Sequence, residues 1–242
     1  MPLTLTIAEL AAAFPDFRVA VVVADDLVIP AERPDDLDAE IAARETACRA
    51  AWGGTELSAI PGIAAWRAAY RAFGIKKTSY RCSVERLVKN VLAERPLPRI
   101  NAFVDAYNAV SLSHGLCVGA DDLDRVEGDL AFRFSREGDT FLDMAAEEGE
   151  DPDDPPKPGE VVYADAAKVL CRRWNWRQDA RSIITPATRR AVVTLQGNGA
   201  GDVATAAADL VALLGRHCSA RATVAVAHAG CPSVTIEPVG RA

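Results

Sequence analysis

LPRINAFVDAYNAVSLSHGLCVGADDLDRVEGDLAFR (Leu97–Arg133) changes its texture half-way along. In the first half Phe103, Val104, Tyr107 and Val110 recur at helical spacing, which predicts a helix from about Asn101 to Ser113 with these residues facing the core. Asn101, Asp105 and Asn108 fall in one narrow stripe on the other side of that helix. In the second half Leu130, Phe132 and then Phe134 alternate with Ala131 and Arg133, the period of a half-buried strand. The chain therefore switches from helices to strands at this stretch.

The same switch is seen further out. Upstream, Trp66, Ala69, Tyr70 and Phe73 make one helix face that stops at Gly74. Val84, Leu87, Val88, Val91 and Leu92 make another, with Ser83 placed to cap it and Pro96 just past its end. Asp35–Ala51 reads as a helix and Phe17–Val23 as a buried strand. Downstream, Thr140–Met144 is expected as the hairpin partner of Leu130–Phe134. Glu147–Gly159 is an acidic, proline-rich surface loop. Val161–Ala164, Lys168–Cys171, Arg190–Gln196, Arg221–Ala227 and Ser233–Glu237 read as strands, and Asp202–Leu214 as a helix capped by Asp202 and ended by Gly215. Helices and strands are grouped more than alternated. The fold class is α+β, a mixed or antiparallel sheet flanked by helices.

The chain has 242 residues, half of them hydrophobic and a quarter charged, which suits one domain spanning residues 1–242. No apolar run reaches the roughly 18 residues of a membrane helix, and Met1–Phe17 has no signal-peptide pattern, so a cytoplasmic protein without membrane contact is expected. A net charge of −7 excludes a general polyanion binder, and no DNA partner is expected. The charge is uneven. Trp66–Ile100 carries nine Lys/Arg against Glu85 and Glu94, and Asp121–Asp165 carries sixteen acids against four bases. Arg67, Arg71, Lys76, Lys77 and Arg81 are the candidate RNA contacts; the same cations would equally pair with the acidic stretch or solvate helix surfaces.

The six cysteines form no CxxC pair, and neither His114–Cys117 nor His217–Cys218 has a matching second pair, so no metal and no cofactor are expected. GxSxG and HExxH are absent. Gly197-Asn198-Gly199-Ala200-Gly201 is spaced GxGxG and reads as a turn. Two features remain. The Asn101/Asp105/Asn108 stripe holds short amides and a carboxylate, suited to lining a pocket or building a buried network, or else it is an exposed face. Arg172-Arg173-Trp174-Asn175-Trp176-Arg177 interleaves cations with indoles, which stack on a base or an aromatic side chain, or plug a sheet edge.

WRAAYRAFGIKKTSYRCSVERL (Trp66–Leu87), LPRINAFVDAYNAVSL (Leu97–Leu112), VGADDLDRVEGDLAFR (Val118–Arg133), GEVVYAD (Gly159–Asp165) and RRWNWRQDARSIITPATR (Arg172–Arg189) together resemble the B3/B4 editing domain of the phenylalanyl-tRNA synthetase β subunit, and most of all its free-standing members. The D-x-D-x-[IV]-x-G pattern is matched by Asp122, Asp124, Val126 and Gly128. The likeness covers about Trp66–Gly215 as the domain core, with residues 1–65 as an N-terminal elaboration. It implies a hydrolase that deacylates a mischarged tRNA or related aminoacyl ester with a positioned water and no covalent nucleophile. The alternative is a non-catalytic module that binds tRNA, an amino acid or another small molecule. The implied acid is Asp179, holding the water or the substrate ammonium. Trp174, Trp176 and Arg177 would frame the entrance, Thr185 and Thr188 would offer hydroxyls, and Asn101, Asp105 and Asn108 would form the opposite wall. Gly119 stands where the synthetase pocket often has a histidine.

Overall fold

The computed structural model describes residues 2–76, 79–147, 149 and 151–237. In chain order the strands are β1 (Leu3–Thr6), β2 (Phe17–Asp25), β3 (Cys117–Asp122), β4 (Leu130–Phe134), β5 (Val161–Ala164), β6 (Val169–Arg172), β7 (Arg177–Gln178), β8 (Ala191–Asn198), β9 (Arg221–His228) and β10 (Ser233–Ile236). The helices are α1 (Asp35–Trp52), α2 (Pro61–Ala72), α3 (Ser83–Leu92), α4 (Ala102–His114) and α5 (Val203–Cys218).

Four antiparallel strands in the order β3-β8-β2-β9 form one sheet. In β2, FRVAVVVAD, every residue but Arg18 is buried. A run that is apolar on both pleat faces belongs in a strand covered on both sides. Helix α5 packs on β2, β8 and β9, α4 packs on α5 and β3, and α1 lies against α4. The second sheet has six strands, β10-β1-β4-β5-β6-β7, antiparallel except for the parallel β1–β4 pair. An aromatic cluster lies where Trp174, Phe132 of β4, Phe17 of β2 and Trp66 of α2 meet. Phe17 stands edge-on to Trp174 at 4.8 Å and to Phe132 at 5.2 Å, and Trp66 to Trp174 at 5.1 Å. Edge-to-face pairs add to the area these rings bury.

The α+β class and the helix-flanked sheet are as expected, and the departures are local. Thr140–Met144 does not form a hairpin with β4. Leu142 and Asp143 make single bridges to Asp153 and Asp179, because β4 is already paired with β1 and β5. Ser83 is the first residue of α3 rather than its cap, and Cys82 holds the cap position without a side-chain bond. Helix α5 runs through Gly215 to Cys218, since burial of His217 and Cys218 favours the extra turn over a stop at glycine. Helix α4 ends at Gly115, whose φ of 66° releases the chain into β3. Among the described residues no helix is long and apolar enough to cross a membrane.

Candidate functional site

A cavity of about 250 Å³ opens between the two sheets. Its walls come from β3 and β8, from Tyr107 and Asn108 of α4, from Ser83 and Arg86 of α3, and from the Leu170–Gln178 stretch of the second sheet. Asp121, near the end of β3, is only 3 % exposed and lines it. Ser182 Oγ donates to its Oδ1 at 2.6 Å and Gln178 Nε2 donates to the same oxygen at 3.1 Å. Oδ2 has no hydrogen-bond partner among the described residues. Burial pushes the Asp121 carboxyl up to about 7, against the two hydrogen bonds that pull it down. A carboxyl in that range exchanges its proton at neutral pH, as a general base must.

Beside Asp121, on β8 and the adjoining Asn175, runs a chain of oriented amides. Tyr70 hydroxyl donates to Asn175 Oδ1 at 2.8 Å, Asn175 Nδ2 to Gln196 Oε1 at 3.2 Å, and Gln196 Nε2 to Thr194 Oγ1 at 2.9 Å. Asn175, Gln196 and Thr194 all line the cavity. The Tyr163 hydroxyl, also in the wall, is buried with no partner among the described residues. A buried polar group without a protein partner is satisfied by water or by a ligand. Cys171 is the one thiol in the wall. Burial, with Asp121 nearby, drives its pKa far above the usual thiol value, so it stays protonated and is a poor nucleophile.

At the rim Arg177 pairs with Asp143, and its guanidinium lies 4.6 Å from the ring centre of Trp176. Arg173 sits in the corner made by Trp176 and Tyr80, 4.3 and 4.0 Å from their ring centres. Trp176 and Arg177 thus lie at the cavity edge. Trp174 does not: it is fully buried in the aromatic cluster.

Asp179 is fully buried and is not in the cavity wall. Its Oδ1 accepts from Arg181 N at 2.8 Å and Arg181 Nε at 2.9 Å, and its Oδ2 from Leu142 N at 2.8 Å and Arg181 Nη2 at 2.7 Å. Both oxygens are occupied, so the acid that faces the cavity is Asp121. Asn101 caps α4, accepting from Val104 N at 3.0 Å. Asp105 is fully buried, pairs with Arg33 at 2.9 Å and accepts from Ile100 N at 3.0 Å. Of that stripe only Asn108 reaches the cavity. Thr188 accepts from Thr185 N at 3.1 Å and donates to Asp122 at 2.7 Å, which closes a turn away from the cavity wall. Arg67 and Arg81 both bond the buried Glu85, at 2.7 and 3.1 Å. Arg71 and Lys76 are exposed, and Lys77 lies outside the described residues.

Sequence reasoning passed over Asp121, Thr194, Gln196 and Asn175. Asp121 had a signal, since it adjoins the D-x-D pattern at Asp122. Asn175 lay within the Arg/Trp segment but was not set apart from its neighbours, and Thr194 and Gln196 had no signal, because their partners come from distant parts of the chain.

Comparison with known proteins gives a match of residues 65–212 to the family model described as B3/4 domain. Among solved structures, an N-terminal fragment of the phenylalanyl-tRNA synthetase β-subunit from Pyrococcus horikoshii is similar at 12 % identity and a TM-score of 0.42, over 90 % of this chain and 50 % of that one. The chain thus spans half the length of that fragment. No curated protein matches.

Proposed function

The chain belongs to the B3/4 domain family, and from that premise we propose that its cavity takes the aminoacyl end of a tRNA, or a related aminoacyl ester, and hydrolyses it. The observation that carries this reading is Asp121, a buried carboxylate in the cavity wall with one oxygen fixed by Ser182 and Gln178 and the other without a hydrogen-bond partner among the described residues. The cavity volume, about 250 Å³, lies just below the roughly 300–1,000 Å³ of drug-sized pockets and suits one amino-acid moiety. The polynucleotide would lie outside it.

Asp179 was expected to hold the water or the substrate ammonium; in this reading the acid that acts on the water is instead Asp121. Its free oxygen accepts a proton from a water as that water attacks the ester carbonyl carbon. The carbonyl electron pair moves to oxygen and returns as the ester C–O bond breaks. The proton held by Asp121 then leaves with the ribose hydroxyl. No acyl-enzyme forms, which accords with a Cys171 thiol held in its protonated form. General-base help of this kind is worth about 10²–10⁴-fold, enough for an ester that is already labile. Trp176 and Arg177 border the entrance, and Asn108 lies in the wall.

The test is release of amino acid from a panel of correctly and wrongly charged tRNAs, with the wild type beside Asp121→Asn. The variant is expected to be at least about tenfold slower, a barrier change of about 1.4 kcal/mol. The second reading, a module that binds tRNA or an amino acid without catalysis, is favoured by Gly119. It offers no side chain where the synthetase pocket often has histidine, and a Cβ built there meets nothing within 4 Å. Tight amino-acid binding with no release above the spontaneous rate on any charged tRNA would replace the hydrolase by that module.

A further inference from the structure

We infer that Thr194 is the group that polarises the substrate carbonyl, its hydroxyl aimed by the Tyr70–Asn175–Gln196 chain; this rests on the ester-hydrolase reading above. Tyr70 has donated its proton to Asn175 Oδ1, an oxygen that carries none to give back. Asn175 must then turn its amide nitrogen to Gln196 Oε1, and Gln196 its own to Thr194 Oγ1. Thr194 Oγ1 is an acceptor in this chain, so its own proton has to go elsewhere. No described residue accepts it. Thr194 is 1 % exposed and lines the cavity, so the unspent proton belongs to whatever occupies the cavity.

Sheet geometry sets that donor against Asp121. In the β3–β8 ladder Thr194 is opposite Gly119, and Asp121 is opposite Val192. Asp121 and Thr194 are therefore diagonal neighbours on one sheet face, with side-chain roots about 7–8 Å apart. Gly119 fills none of the space between, and a Cβ at that position would meet nothing within 4 Å. One acceptor and one donor on the same sheet face, both lining the cavity, is the arrangement that ester hydrolysis asks for. The water lies on the Asp121 side and the carbonyl oxygen on the Thr194 side. As the oxygen gains charge in the transition state, the fixed hydroxyl stabilises it more than it stabilises the ground state.

The experiment uses the full chain and the charged tRNA on which the wild type is most active. Thr194→Val keeps the shape and removes the hydroxyl. It is expected to lower kcat by about 10²–10³, the loss seen when one such donor is removed, and to leave KM within about threefold. Thr194→Ser restores the hydroxyl and is expected within about threefold of wild type. Tyr70→Phe, remote from the substrate, removes only the donor that starts the chain; it is expected to lower kcat by a few-fold with KM unchanged, and it decides the matter if Thr194→Val does not fold. Wild-type kcat in Thr194→Val, or in Tyr70→Phe should the former not fold, overturns the assignment and leaves the hydrolase standing. Equal losses in the valine and serine variants also overturn it, since they mean packing rather than a hydroxyl. A wild type that releases nothing from any charged tRNA sinks the hydrolase reading and this assignment with it.

Discussion

Asp121 is a carboxylate that the fold would be more stable without. Its pKa is raised by burial from an ordinary 3.8 to about 7. The sign follows directly: between those two values the folded chain keeps a proton that the unfolded chain releases, so stability falls as pH rises from about 4 to about 7 and is flat above. At 1.36 kcal/mol per pH unit the full effect is about 4 kcal/mol. Asp121→Asn should accordingly be more stable than wild type at pH 8 and show a smaller gain at pH 5, as read by thermal melting of both proteins at each pH. An advantage that does not grow with pH would mean that Asp121 is not the strained group. The catalytic counterpart is a wild-type kcat/KM that rises with pH through about 7 and then levels, measured on a charged tRNA; a profile flat from pH 5 to 8 would remove Asp121 as the base. Individual residues were only partly legible in the sequence. Trp174 and Trp176 look equivalent there, yet Arg173 and Trp174 have φ of 44° and 69°, and this double left-handed turn drives one indole into the core while leaving the other at the rim. Such backbone costs on the order of 1–3 kcal/mol per residue and is carried by its surroundings, here the aromatic cluster. Asp179 was expected as the site acid only through the family resemblance, and it lies outside the cavity wall. Its partners Leu142 and Arg181 come together through the fold, and they leave it no free oxygen.

Helices α3 and α4 show how far an element can be read alone. The Asn101–Ser113 expectation found α4 to within a residue, because its apolar spacing is strong and Asn101 is a good cap. The use of the polar stripe was not legible: Asn101 serves the helix end and Asp105 the ion pair with Arg33, a residue 72 positions earlier. Asn101→Ala should therefore cost about 1 kcal/mol of stability in denaturant titration and leave ligand affinity unchanged; a loss of affinity with no loss of stability would return Asn101 to the site. On α3 the charge pattern was visible and its division was not. Glu85 turns inward and takes Arg67 and Arg81, whereas Arg86 and Lys89 stay exposed, one turn apart, and Arg86 reaches the cavity wall. If charged tRNA is the substrate, its phosphates would run along this face, with Arg71 and Lys76 as further exposed cations. Arg86→Glu with Lys89→Glu should weaken tRNA binding at low salt and flatten the slope of log K against log salt by about two. Arg67→Ala should instead lower stability, because it uncovers one side of a buried carboxylate. Unchanged affinity in the double reversal would put the RNA elsewhere.

At the scale of the molecule the family match and the folding unit do not coincide. Residues 65–212 carry the match, and all the residues that line the cavity lie within them. The sheet behind that wall does not. Strand β8 pairs along its whole length with β2, which comes from Phe17–Asp25, and β2 pairs in turn with β9, from Arg221–His228. In the second sheet β1 and β10 likewise lie outside the matched range. Phe17–Val23 was readable as a buried strand, but nothing local says that it is an inner strand of its sheet, since its partners are more than 160 residues away. An excised 65–212 fragment would leave one side of β8 unpaired over eight residues and strip the cover from Trp66, Phe132 and Trp174, which Phe17 packs against. Phe17 and the four valines of β2 are fully or almost fully buried. At about 1.5–3 kcal/mol for each such side chain, their removal costs on the order of 10 kcal/mol, comparable with the whole 5–15 kcal/mol that holds a domain together. The fragment should therefore show no cooperative thermal transition by circular dichroism and collapsed amide dispersion by NMR, whereas residues 2–237 should melt in a single step. Adding the separate Leu3–Ala24 segment as a peptide would not restore it, because β9 and its contacts with α5 are still missing. A fragment 65–212 that melts cooperatively would show that β8 finds another partner, and that the cavity can be held by the matched region alone.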